Sequence, residues 1–160
     1  MDLHDLYTRY APDVRRFALY LSGNPALADD LTSETFLRAW SSASPIREAT
    51  VKAYLFTIVR HVYLSEMTRA SRRVELTRDV PATSPSQHDQ LESSATLRTV
   101  LKALTVLPEL DRAALLMRTQ DGMPYEEIAQ VLEISIANAK VKVHRARVKL
   151  AMLIPGTVQP

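Results

Sequence analysis

Apolar residues recur at helical spacing along almost the whole chain, and nowhere do they alternate as a half-buried strand requires. Leu3, Leu6, Tyr7 and Tyr10 follow Asp2, whose carboxylate can cap a helix, and Pro12 then opens a second helix with Val14, Phe17, Ala18 and Leu21 on one face. Gly23 is the expected stop. Asn24-Pro25 supplies a cap and a first-turn proline for a third helix, whose stripe of Ala28, Leu31, Thr32, Thr35, Phe36 and Ala39 reaches about Trp40. Ser41 to Thr50 has no period and reads as a loop. A long helix follows, with Leu55, Ile58, Val59 and Val62 inward, running into Arg69, Arg72 and Arg73.

The pattern lapses between Glu75 and Ser94, where Pro81, Pro85 and a Ser/Thr/Gln-rich run offer too little apolar surface to offset the entropy of ordering. It resumes with Leu97, Val100, Leu101 and Leu104, breaks at Pro108, continues through Leu110, Ala113, Ala114 and Met117 to Asp121-Gly122, and ends in helices at Tyr125–Leu132 and Ile136 to about Leu153. The expectation is an all-α chain of two small helical domains, 1–73 and 95–153. A flexible acidic linker, 74–94, joins them; the second domain has four helices including a helix-turn-helix, and 154–160 is a tail.

Composition agrees with helices: three glycines in 160 residues and 6% aromatics suit neither sheet nor barrel. There is no cysteine, which removes disulfides, thiolate metal sites and cysteine nucleophiles. MDLHDLYTRY lacks the basic-then-apolar order of a signal peptide, and no charge-free stretch is long enough to span a bilayer, so a cytoplasmic location is expected. No phosphate loop or nucleophile motif occurs, and His4, His61, His88 and His144 lie without ligand spacing. Asp29-Asp30 and Glu126-Glu127 fall in first helical turns, where the dipole explains them. No catalytic residue, metal, cofactor or small-molecule substrate is expected, and the chain reads as a binding protein rather than an enzyme.

The net charge of +2 hides strong segregation. Residues 52–73 carry five Lys/Arg against one Asp/Glu, residues 74–95 one against four, and residues 134–160 five against none. The last run coincides with the most specific motif. Ile128, Ala129 and Leu132 line one side of a short helix, Glu133-Ile134-Ser135 makes a turn, and Ser135 can cap the next helix, which is helix-turn-helix spacing. On that second helix Ile136, Ala139, Val143, Ala146 and Leu150 form the stripe to bury. Asn138, Val141, His144 and Arg145 then point away, flanked by Lys140, Lys142 and Arg147. Small and hydrogen-bonding groups outward with cations at the edges suit a major groove between its phosphates.

Three segments in order carry a family resemblance. Asp30 to Trp40 (DLTSETFLRAW), Tyr54 to Val62 (YLFTIVRHV), and Leu107-Pro108 with Tyr125 to Ala129 (YEEIA) and Lys140 to Arg147 (KVKVHRAR) resemble the extracytoplasmic-function sigma factors, two-domain specificity subunits of bacterial RNA polymerase. The resemblance implies promoter DNA and the β′ and β subunits of core polymerase as partners, with an anti-sigma factor as regulator. It places polymerase binding on Asp30, Glu34, Phe36 and Trp40. Contacts to the downstream promoter element fall on Lys52, Arg60, His61 and Arg69 beside a base pocket at Ser42 to Thr50. Reading of the upstream element falls on Asn138, Lys140, Val141, Lys142, His144, Arg145 and Arg147. Ser33, His61, Glu133 and Val141 depart from the family's usual Gln, Asn, Gly and Ser.

Two other readings are compatible with the residues alone. A helix-turn-helix repressor or activator would bind DNA without polymerase, and a sigma mimic would sequester an anti-sigma protein without touching DNA. The acid-free basic segment 134–160 argues against the mimic, which has no need of phosphate-facing cations.

Overall fold

The computed structural model describes residues 2–42, 51–76 and 94–154. Helices α1 (Leu3–Ser22), α2 (Pro25–Ser41) and α3 (Val51–Leu76) form one bundle, and α4 (Ala95–Val106), α5 (Glu109–Thr119), α6 (Tyr125–Leu132) and α7 (Ile136–Leu153) a second. Among the described residues there is no strand. Of the expected loop Ser41 to Thr50, Ser41 is the last residue of α2 and residues 43–50 lie outside the described residues, as do the tether over 77–93 and the tail from 155.

The caps fall where polar side chains can reach orphan amides. Asn24 Oδ1 accepts from Leu27 N at 3.1 Å, Ser94 Oγ from Leu97 N at 3.0 Å and Ser135 Oγ from Asn138 N at 3.0 Å. Gly23 closes α1 at φ 70°, its N–H donating to Leu19 O at 2.7 Å. A Cβ there would lie 3.1 Å from Thr105 Cγ2, so the turn also lets α4 approach closely.

Three local expectations change. Pro12 does not divide α1; the helix runs through it, forgoing one amide donor, because Leu6 before it and Val14, Phe17 and Leu21 after it are all buried on one continuous face. Helix α3 runs to Leu76, three residues into the expected tether, since nothing before Pro81 breaks it. On α7, Ala139, Val143 and Ala146 are buried and Leu150 partly so, but Ile136 is exposed. Helical side chains lean toward the N-terminus, so the first residue of α7 points off its end.

Glu133 ends α6 at φ 57°, ψ 46°, and Ile134 N returns to Ala129 O at 3.0 Å. The turn therefore keeps its left-handed residue although the side chain is not glycine, at a cost of about 1 kcal/mol.

The two bundles share one apolar interior. Phe17 and Phe56 stack at 4.6 Å in the first, and the cluster continues without a break to Leu104, Met117, Ile128 and Val143 in the second. Helix α1 packs on α4 and α5, and α3 on α6. At this junction lies Arg112, buried, which donates to Leu104 O and Leu107 O at 2.9 and 3.0 Å, to Leu21 O, and to Tyr63 Oη at 3.3 Å. One guanidinium thus serves carbonyls at the ends of both α1 and α4, where the helix dipoles are negative.

Candidate functional site

The basic helix α7 lies across α5 and α6, held by its small buried residues, so its other side faces solvent. Lys140, Val141, His144 and Arg147 are exposed, and Asn138 and Lys142 are half-buried. Lys140 Nζ stands 5.7 Å from the Tyr125 ring, whose face Arg118 covers at 4.4 Å, which ties α5, α6 and α7 together.

Arg145 departs from expectation. It lies on the outer face, but its guanidinium grips Asp111 of α5, Nε to Oδ2 at 2.9 Å and Nη2 to Oδ1 at 3.1 Å, with Lys142 Nζ 3.8 Å from the same carboxylate. Asp111 is only 2% exposed, and a buried carboxylate needs such a partner. The pairing raises the Arg145 pKa still further. Arg145 is therefore committed within the protein rather than free to meet a base.

The outer face of α2 combines acids with apolar anchors. Asp30 is exposed and Glu34 half-buried, its carboxylate accepting from Arg38 at 2.9 Å. Trp40 is 58% exposed, but Phe36 is 3% exposed and meets Tyr7 edge-on at 5.0 Å. Phe36 is thus chiefly a core residue, exposing almost no surface of its own; it falls on the stripe that α2 turns toward α1. Leu37, 60% exposed, lies beside it on the outer face and lines a groove together with Leu3, His4, Tyr7, Ser33 and Phe36 itself.

The cations of α3 divide. His61 and Arg69 are exposed, and Arg69 pairs with Glu66 at 3.1 Å. Arg60 instead faces the second bundle, and Lys52 sits between an acid of its own bundle and one of the second. Arg60 donates two hydrogen bonds to the Glu109 carboxylate, at 2.9 and 2.7 Å, and Lys52 Nζ lies 3.0 Å from Asp13 and 3.6 Å from Asp121. Arg16 reaches the same two acids at 3.0 Å each. The Asp121 side chain has no exposed surface, and its burial pushes the carboxyl above its ordinary pKa against the pull of Lys52 and Arg16. The expected base pocket at Ser42 to Thr50 lies, but for Ser42, outside the described residues.

Residues 6–73 match the family model for sigma-70 region 2, and residues 97–150 that for sigma-70 region 4. The ECF RNA polymerase sigma factor EcfG of Rhodopseudomonas palustris is 34% identical over 95% of this chain and 84% of its own. The chain belongs to the ECF RNA polymerase sigma factors. SigL of Mycobacterium tuberculosis, another ECF sigma factor, is 31% identical over 88% of this chain and 82% of its own. The solved structure of the sigma factor RpoE in complex with the anti-sigma factor NepR from Bartonella quintana superposes with a TM-score of 0.79 at 30% identity, covering 95% of this chain and 96% of that one.

In this sigma factor, α2 and all but the last three residues of α3 fall within the region 2 match, and the helix-turn-helix α6–α7, but for the last three residues of α7, within the region 4 match. Four interacting residues carry no expectation from sequence: Glu109, Asp111, Arg112 and Asp121. The one available signal is a run of charges, Glu109, Asp111 and Arg112, breaking the apolar pattern between Leu107 and Met117. Among the described residues no group of acids and histidines is placed to hold a metal, and no helix is long and apolar enough to cross a membrane.

Proposed function

We propose that this ECF sigma factor directs core RNA polymerase to promoters through two separate surfaces and contributes binding rather than catalysis. The observation that carries the reading is α7: a capped second helix of a helix-turn-helix whose outward face combines Val141 and His144 with Lys140 and Arg147, in a chain of this family. Val141 suits a thymine methyl, while Asn138 and His144 can bond base edges; Lys140, Lys142 and Arg147 meet phosphates. Arg145 acts by anchoring α7 to Asp111 and contributes its charge to the flank.

Asp30, Glu34, Leu37 and Trp40 form the surface for the polymerase β′ subunit, and the β subunit meets the second bundle. On α3, Lys52, Arg60, His61 and Arg69 hold the backbone of the downstream element while a base leaves the stack for the 42–50 segment. Residues 1–73 and 95–153 act as the two gripping domains and 74–94 as their tether. The chain works in the cytoplasm, where its polymerase is, and the likeness to a sigma factor bound by NepR supports control by an anti-sigma factor.

Transcription with core enzyme from a library of randomised upstream elements tests this. Val141→Ser should change the preferred element by about 1–3 kcal/mol at one position, and Arg147→Ala should weaken all elements alike. Identical preferences in wild type and Val141→Ser would reject the base-reading role of α7.

A further inference from the structure

The second bundle turns two carboxylates toward the first: Glu109 lands on Arg60, assigned above to the downstream element, and Asp121 on Arg16, with Lys52 3.6 Å away but held more closely by Asp13 of its own bundle at 3.0 Å. Glu109 presents its two oxygens to Arg60 in a fork at 2.7 and 2.9 Å, the geometry with which an arginine also takes two phosphate oxygens. Asp121 receives Arg16 at 3.0 Å and Lys52 at 3.6 Å from the other side of the same junction. Arg60 and Glu109 are mostly buried, 13% and 21% exposed, so neither remains available to an outside ligand while they are paired.

The junction is firm at one end and unfinished at the other. Around Asp121, three buried polar atoms have no partner: Asp121 Oδ2, Arg16 Nε and Gln120 Oε1. Buried ions with unmet hydrogen bonds recover little of the cost of leaving water. Such a contact can yield to a competitor that satisfies those cations better.

We infer that Glu109 is an internal stand-in for the promoter backbone, occupying Arg60 in the isolated chain until DNA displaces it, with Asp121 adding its charge at the same junction. The inference rests on the assignment of α3 to DNA. The surface formed by Glu109 and Asp121 binds the first bundle's cations and excludes a polyanion from them. Parting the bundles exchanges carboxylates for phosphates. A purely structural role for Glu109, as an acid in the first turn of α5, would require a negative charge at that position but would not require Arg60 opposite it.

The chain has no cysteine, so Ser33→Cys with Thr99→Cys places one spin label on each bundle of the full-length protein. Pulsed dipolar spectroscopy should give one short, narrow separation for the otherwise native chain and a longer, broad one for Glu109→Gln. The exchanged pair Arg60→Glu with Glu109→Arg should restore the short separation, which a helix-dipole role for Glu109 does not predict. In fluorescence anisotropy with a short single-stranded oligodeoxynucleotide, Glu109→Gln should bind about fivefold to tenfold more tightly than wild type, because a larger fraction of chains is open. The exchanged pair, with a glutamate at 60, should bind no better than wild type.

An unchanged separation in Glu109→Gln, a broad separation already present in the native chain, or failure of the exchange to restore closure would overturn the inference. Opening without any gain in oligonucleotide affinity would overturn the stand-in role. These readouts use the isolated chain. A wild type that fails to support transcription with core enzyme while they hold would count against the sigma-factor assignment, not against closure.

Discussion

The two basic helices of this protein carry five lysines and arginines each and meet opposite fates. Helix α7 is pinned by small buried residues and leaves Lys140, His144 and Arg147 in water, whereas α3 lies at the junction, gives Arg60 to an acid of the other bundle and places Lys52 between Asp13 of its own bundle and Asp121 of the other. Charge runs therefore report where a polyanion could bind, not which surface is open to it. What decides the difference is the neighbour: α7 meets one deeply buried acid, Asp111, which takes Arg145, while α3 meets Glu109 and Asp121 across an interface that packs apolar side chains of both bundles together.

The sharpest way to break this comparison is to remove what holds the interface. Arg112→Ala strands carbonyls at the ends of two helices and should cost about 3 kcal/mol or more of unfolding free energy by urea titration. Phe36→Ala should cost a similar ~3–5 kcal/mol as a core deletion, and Trp40→Ala little, while core-polymerase pull-down falls for Trp40→Ala. Loss of polymerase binding by a folded Phe36→Ala and not by Trp40→Ala would reverse the assignment of inner and outer residues on α2.

Next in size is the electrostatic contrast. Arg147→Ala should lower the slope of log affinity against log salt for polymerase-bound promoter DNA by about 1, because Arg147 is exposed and makes no ion pair among the described residues. Asp121 gives a pH signature. Its pKa is raised above 3.8 by burial, so the folded chain holds that proton more tightly than the unfolded chain does. Its contribution is favourable below pH 3.8 and is lost as pH rises through the raised value. Asp121→Asn should then flatten stability against pH above 3.8 and raise it at neutral pH; a loss of stability at neutral pH would show the ionised carboxylate to be a net tie. Smallest of all, Glu133→Gly should gain about 0.5–1 kcal/mol in thermal unfolding by relieving the left-handed turn without moving α7.

Much of the fold is legible in the residues alone. Asn24-Pro25, Gly23 and Ser135 mark helix ends because their chemistry acts on the adjacent backbone, and the stripes of α2 and α7 predict burial because helical period alone decides which residues share a face. Pro12 misleads because a local breaker is outweighed by a continuous buried face, and Phe36 because it pairs in spacing with Trp40 although it also lies on the Ala28–Ala39 stripe. Arg145 with Asp111 and Arg60 with Glu109 are pairs 34 and 49 residues apart, and no local rule of spacing brings them together.

The most direct test of promoter recognition through polymerase compares a promoter-bearing duplex in mobility-shift assays with the purified chain alone, core polymerase alone, and both together. The chain alone should give only weak, salt-sensitive binding without sequence preference, and the two together a specific complex abolished by changing the upstream element. A specific, core-independent shift by the chain alone, strongest on a palindromic site, would contradict a sigma factor's dependence on its polymerase.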